Sequence, residues 1–105
     1  MEGEQMWIRE MNIGDYEKVL AFWKETSGLG VNDADEKGNL ERFLKRNQGL
    51  SFLCEEEGLV IGTVLCGHDG RRGYIYHLAV AEKHRCRGIG RHMADKSLAL
   101  LKKRE

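Results

Sequence analysis

The spacing of apolar residues changes several times along this chain, and each change marks an expected element. Residues 6–11 alternate weakly and include Trp7 and Ile8, the pattern of a short strand. Asn12-Ile13-Gly14-Asp15 reads as a turn, with Asp15 the expected side-chain cap of a helix. Tyr16, Val19, Leu20 and Trp23 recur at helical spacing and predict a helix ending near Thr26. Residues 27–39 are rich in Gly, Asn and Asp and read as a loop. A second helix is predicted over 40–46, with Leu40, Phe43 and Leu44 on one side and Gly49 as the stop beyond it. Strands are predicted over 50–55 and 59–67, joined by the tight turn Glu56-Glu57-Gly58. A second hairpin through 68–73 leads into a strand over 74–80. Strict alternation puts Tyr74, Tyr76, Leu78 and Val80 on one face of it, and Ile75, His77 and Ala79 on the other. A last helix from Gly88 to about Lys103 turns Ile89, Met93, Leu100 and Leu101 inward and Arg91, Asp95 and Lys102 outward. The order is β-α-α-β-β-β-α, an α/β chain with a mixed sheet.

Composition narrows the possibilities. A length of 105 residues allows one domain, spanning 1–105. Hydrophobic residues at 41% and charged residues at 32% fit a soluble globular chain. No apolar run approaches the roughly 20 residues that a membrane helix needs. The start, Met1-Glu2-Gly3-Glu4-Gln5, is acidic and lacks the layout of a signal peptide. Cys54, Cys66 and Cys86 are odd in number and have no C-x-x-C spacing, so reduced thiols and a cytoplasmic location are expected. No zinc-like pair of pairs occurs, and no metal is expected. The 17 basic and 17 acidic residues cancel, which argues against a nucleic-acid partner. Locally the charge is uneven: residues 83–91 are basic and Glu55-Glu56-Glu57 is acidic.

The basic stretch holds the strongest chemical signal. Arg85-Cys86-Arg87-Gly88-Ile89-Gly90 lies between an apolar strand and an amphipathic helix. The first amides of a helix lack intrahelical acceptors and carry the positive end of its dipole. Glycines keep side chains out of the way of an approaching anion. Arg85 and Arg87 add charge and can either reach phosphate oxygens or pin the turn. A P-loop is excluded because Arg91-His92 follows Gly90 where Lys-Ser/Thr is required. A dinucleotide fingerprint is disfavoured because Met93 stands at the third glycine position.

With Leu78-Ala79-Val80 before it, the Arg85, Gly88, Gly90 pattern resembles the acetyl-CoA motif of the GNAT N-acetyltransferases. The V-I-G-T-V strand and the G-H-D-G-R-R-G turn resemble small bacterial members of that family. The resemblance implies a GNAT-like fold and acetyl transfer from acetyl-CoA to a primary amine of a small molecule or protein. It implies that amides from Cys86 through Ile89 and Gly90 to Arg91 cradle the diphosphate. Backbone groups of Leu78, Ala79 and Val80 would pair with pantetheine. Family members continue with a fifth strand, a fourth helix and further strands, whereas this chain stops after its third predicted helix. Three explanations stand: a fragment, exchange in a homodimer through the exposed fourth strand, or completion by a separate polypeptide. A non-catalytic module that binds CoA or pairs strands is the alternative function.

The resemblance places the base-bearing positions of the fourth strand on Tyr74 and Tyr76. Tyrosine, with a pKa near 10, is a poor base, so these two are expected to shape the acceptor pocket or order a water. His77 titrates more readily, but its parity assigns it to the opposite layer as a packed histidine. His68 and Asp69 read as an exposed hairpin tip, and Glu55-Glu56-Glu57 as a solvated turn. The loop 28–33 falls where the family places acceptor-binding residues. The family's usual general acid, a tyrosine of the fourth helix, has no counterpart here.

Overall fold

A computed structural model describes residues 6–26 and 28–104. The acidic start and Ser27 of the predicted loop lie outside the described residues. Four strands and three helices form in the expected order: β1 Met6–Glu10, α1 Tyr16–Glu25, α2 Lys37–Arg46, β2 Phe52–Glu56, β3 Leu59–His68, β4 Gly73–Val80 and α3 Ile89–Arg104. Short 3-10 turns at Ile13–Asp15, Asp33–Asp35 and Glu82–His84 lead into or between them. The sheet order is β1-β2-β3-β4, and all three pairings are antiparallel. β4 is therefore an edge.

Alternation along β2 explains the layering. Leu53 joins Val19, Trp23, Leu40 and Leu65 in a core beneath α1 and α2, while Phe52 and Cys54 join Val64, Ile89 and Met93 beneath α3. The buried stripe of α3 is Ile89, Met93, Ser97 and Leu101, one residue per turn and slightly over. Ser97 is the polar member, and its hydroxyl donates to the Leu50 carbonyl at 2.8 Å, which removes the cost of burying it. Glu57 and Gly58, with φ of 52° and 82°, make the two-residue turn between β2 and β3. Positive φ at both positions is the type I′ geometry that matches strand twist.

Two boundaries differ from the sequence reading. Asp15 makes no side-chain cap on α1. Its carboxylate instead accepts from the Asn12 amide at 2.9 Å and from the Arg9 guanidinium at 2.7 Å, while Asn12 caps the 3-10 turn. Burial opposes ionisation of Asp15, but the Arg9 guanidinium and the Asn12 amide outweigh it and hold the carboxyl below its ordinary value. Likewise α2 begins at Lys37, three residues before Leu40, because the turn Asp33–Asp35 delivers the chain directly into it. That turn repeats the first: Asn32 accepts from the Ala34 amide, and Asp35 accepts from the Asn32 amide.

Candidate active site

β4 contains the structural irregularity that organises the site. Tyr76 pairs with Leu65 and Ala79 with Thr63, so His77 and Leu78 together face one residue of β3. This is a β-bulge, which bends a strand and re-aims its side chains. His77 takes φ of 48°, a left-handed conformation that is uncommon for a side-chain-bearing residue. Beyond the bulge the alternation is inverted. Ala79 joins the α1/α2 core, and Val80 joins Ile75 on the α3 side.

The predicted faces of β4 are corrected accordingly. Leu78 and Val80 do not share the face of Tyr74 and Tyr76, and His77 does not lie in the layer opposite the tyrosines. His77, Tyr74 and Tyr76 line one cavity of about 490 Å³, closed on its other side by Asp35, Asn39 and Phe43. Counting by twos misplaced His77 because it assumes an unbroken pleat.

Several contacts hold the bulge. Trp23 Nε1 donates to Thr63 Oγ1 at 2.9 Å, and that hydroxyl donates to the His77 carbonyl at 2.8 Å. The Trp23 ring meets the imidazole edge-on, with centroids 4.6 Å apart. His77 Nε2 lies 2.8 Å from Asp35 Oδ1. The Tyr16 hydroxyl donates to the Asp35 carbonyl at 2.8 Å, and burial pushes that phenol above its ordinary value, keeping it a donor. Asp35 was missed at the sequence level. The signal available was the Asn32-x-x-Asp35 spacing, which marks a capped turn but not what the turn faces.

The second half of the site follows β4. Ala81 donates to the Ile61 carbonyl at 2.7 Å, which keeps the exit of β4 on β3. His84 Nε2 then ties the turn Glu82–His84 to Glu56 Oε1 at 2.6 Å. Arg85 Nε donates to the Val80 carbonyl at 2.9 Å, so this arginine pins the loop to the strand it leaves. Cys86 and Gly88 have φ of 67° and 80°, with Arg87 between them outside that region. Alternating handedness turns successive amides toward one side and makes an anion-binding concavity. The first helical bond of α3 runs from the His92 amide to the Gly88 carbonyl at 2.9 Å. Amides of Ile89, Gly90 and Arg91 precede it and have no helical acceptor.

Both glycines have distinct reasons. At Gly90, a Cβ would sit 3.3 Å from Val80 Cγ2, so glycine lets α3 start against β4. At Gly88, a Cβ would meet nothing within 4 Å, and the requirement is conformational. The concavity therefore opens to solvent rather than into packed protein. Arg87, His92 and Lys96 border a groove beside it that reaches Trp7 on β1.

The other sequence candidates take structural roles. Asp69 accepts from the Arg71 and Arg72 amides, which form the hairpin tip and hold its carboxyl below the ordinary value. Glu55 and Glu56 lie in β2 rather than in a solvated turn, and the half-buried Glu55 carboxylate binds Arg9 at 2.9 Å. Cys54 and Cys66 are buried, and burial pushes both thiols up, away from nucleophilic use.

The sequence model of the Acetyltransferase (GNAT) family matches residues 16–105. An acetyltransferase of Photorhabdus laumondii is 36% identical over 84 residues, which cover 80% of this chain and 58% of the relative. The chain thus spans somewhat over half the length of that curated relative. Among solved structures, the PaiA N-acetyltransferase of Thermoplasma acidophilum in complex with coenzyme A superposes with a TM-score of 0.78 at 16% identity. That match covers 94% of this chain and 73% of the other. The diaminobutyrate acetyltransferase of Paenibacillus lautus, in complex with L-2,4-diaminobutyric acid and coenzyme A, gives a TM-score of 0.74 at 21% identity. It covers 89% of this chain and 56% of the other. Through its element order, its glycine turn before α3 and the family match over most of its length, the chain belongs to the GNAT acetyltransferase family.

Proposed function

We propose that this chain transfers the acetyl group of acetyl-CoA to a primary amine of a small molecule, or of a protein N-terminus or lysine. The observation that carries the reading is the alternating backbone of Cys86 to Gly88 at the head of α3, directly after an edge strand with a bulge. In this reading the amides of residues 86–91 hold the diphosphate of the co-substrate. The free edge of β4 at Leu78, Ala79 and Val80 takes the pantetheine arm as an added strand. Arg85 pins the loop through Nε, which donates to the Val80 carbonyl, and its Nη groups are still able to donate to phosphate. Arg87 borders the groove beside the cradle and is the second arginine that can face phosphate. Tyr74 and Tyr76 form the wall of the acceptor cavity, their rings 5.0 Å apart. Coenzyme A in the PaiA and diaminobutyrate acetyltransferase structures supports the choice of co-substrate, and diaminobutyric acid in the latter supports an amine as acceptor.

The reaction needs the amine nitrogen to attack the thioester carbon, forming a C–N bond as the C–S bond breaks. The thiolate leaves as coenzyme A and takes up one of the two protons shed by the ammonium. The enzyme contributes chiefly by holding donor and acceptor in line.

The open β4 edge favours a second reading, a module that binds CoA or pairs strands, including with its own copy, without turnover. Tyr76 and Leu78 are 49% and 45% exposed there. Among the described residues, no helix is long and apolar enough to cross a membrane. Thiol release separates the two readings. With acetyl-CoA and a panel of primary amines, a transferase releases free thiol in proportion to acetylated amine. Thermal stabilisation by acetyl-CoA with no release above the amine-free rate would establish the second reading.

A further inference from the structure

Resting on the transferase reading, we infer that His77 and Asp35 form a proton-accepting pair that deprotonates the incoming ammonium. Four observations converge on it. First, His77 lines the same cavity as Tyr74 and Tyr76, the cavity that the proposed function gives to the acceptor amine. Second, Nε2 of His77 lies 2.8 Å from an oxygen of Asp35, whose other oxygen accepts from the Asn32 amide at 3.1 Å. A carboxylate fixed in this way is an acceptor, so Nε2 carries the proton and the lone pair of the neutral ring is on Nδ1. Third, among the described residues Nδ1 has no hydrogen-bond partner and is not among the fully buried polar atoms, leaving it able to take a proton. Fourth, the backbone at His77 is left-handed, and residues held in such conformations cluster at functional sites.

The surroundings of the imidazole leave the pair little competition. Asp35, Tyr74 and Tyr76 are the other titratable groups lining the cavity; α2 and the turn before it add only Asn32 and Asn39 as polar groups. From α1 the ring meets Trp23, and the Tyr16 hydroxyl bonds the Asp35 carbonyl rather than its carboxylate. From β3 come Thr63, bonded to the His77 carbonyl, and Leu65. Among the described residues, no lysine or arginine lines the cavity to discourage a cationic amine.

The step balances simply. One proton moves from the ammonium to Nδ1, and Asp35 stabilises the imidazolium so formed. The freed nitrogen lone pair then attacks the thioester carbon. The second nitrogen proton goes to the departing thiolate, and Nδ1 returns its proton to water. Asp35, held by the Asn32 amide, acts through His77 and is a positioning residue, while His77 meets the substrate.

Two readings of one sample test this. Ring-nitrogen NMR of the wild-type chain gives the tautomer and titration of His77. Thiol release from acetyl-CoA, with ethylenediamine as the amine, gives the pH profile of kcat. The expected result is an Nε2–H tautomer, with Nδ1 gaining its proton over the same pH interval in which kcat falls. His77→Gln should lower kcat about 10²-fold or more, abolish that acid limb and leave the KM for acetyl-CoA unchanged. Asp35→Asn should weaken the tautomer preference and lower kcat by a smaller factor. An Nδ1–H tautomer overturns the pair even if the variants fail to fold. So does an acid limb retained in His77→Gln. A wild-type chain that binds acetyl-CoA and acetylates nothing, or that gives no calorimetric heat with it, overturns the underlying reading instead, and the ring tautomer still judges the pair.

Discussion

Gly88→Val weakens acetyl-CoA binding by about ten- to a hundredfold, while thermal stability falls only slightly. The expectation comes from backbone conformation rather than from crowding. Gly88 has φ of 80°, and the space a Cβ would enter is open. A β-branched residue there is a genuine outlier. Forcing that conformation costs about 1–3 kcal/mol, and about 1.4 kcal/mol is a factor of ten in affinity. The loop escapes the strain by rotating the peptides on either side, and the amides then diverge. Gly88→Asn separates the two explanations, since asparagine visits the left-handed region readily. If conformation is the requirement, Asn retains most of the affinity. If the anion sits where the side chain would project, Asn and Val lose it alike. Calorimetry with acetyl-CoA on the three proteins decides, and full affinity in Gly88→Val would show that the diphosphate binds elsewhere.

Trp23→Ala lowers Tm by more than about 10 °C. Trp23 is fully buried at the centre of the α1/α2 core. Truncating a core tryptophan costs about 3–5 kcal/mol, a large part of the roughly 5–15 kcal/mol that stabilises a typical domain. In a chain of this length each kcal/mol shifts Tm by several degrees. The same change removes the edge-on contact with His77 and the bond to Thr63. Trp23→Phe keeps much of the volume and gives up the indole N–H. Its cost is smaller, because Thr63 still donates to the His77 carbonyl. Thermal unfolding of both variants checks the order. A Trp23→Ala protein melting within 2 °C of the wild type, on the order of the error expected of a surface change, would contradict the described core.

The parts of the fold legible in the sequence are those set by periodicity and by glycine. Val19 and Trp23 announce the inner face of α1, and Ile89, Met93 and Leu101 that of α3, because a helix with one buried side repeats every 3.6 residues. The turn at Gly58 is equally plain, and Gly49 stands in the turn that follows the last residue of α2, Arg46; both glycines take positive φ. The turn proposed as the diphosphate cradle is legible because a strand, a glycine turn and a helix follow one another in sequence. The cavity proposed for the acceptor was much less legible. Its geometry depends on one extra residue in β4, and no residue type in Tyr76-His77-Leu78-Ala79 signals a left-handed histidine. Asp35 reaches His77 across 42 positions of sequence, a meeting produced by packing α1, α2 and the sheet rather than by any local pattern. Asp15 shows the same limit on a smaller scale. Its position suits a helix cap, but Arg9 on the neighbouring strand claims the carboxylate.

Amide NMR of the wild-type chain during titration with coenzyme A addresses the cradle most directly. The backbone resonances of Cys86, Arg87, Gly88, Ile89, Gly90 and Arg91 should move first and furthest, with Leu78 to Val80 on the β4 edge following. Saturating coenzyme A that leaves the six loop amides unmoved would contradict the assignment of the diphosphate to the head of α3.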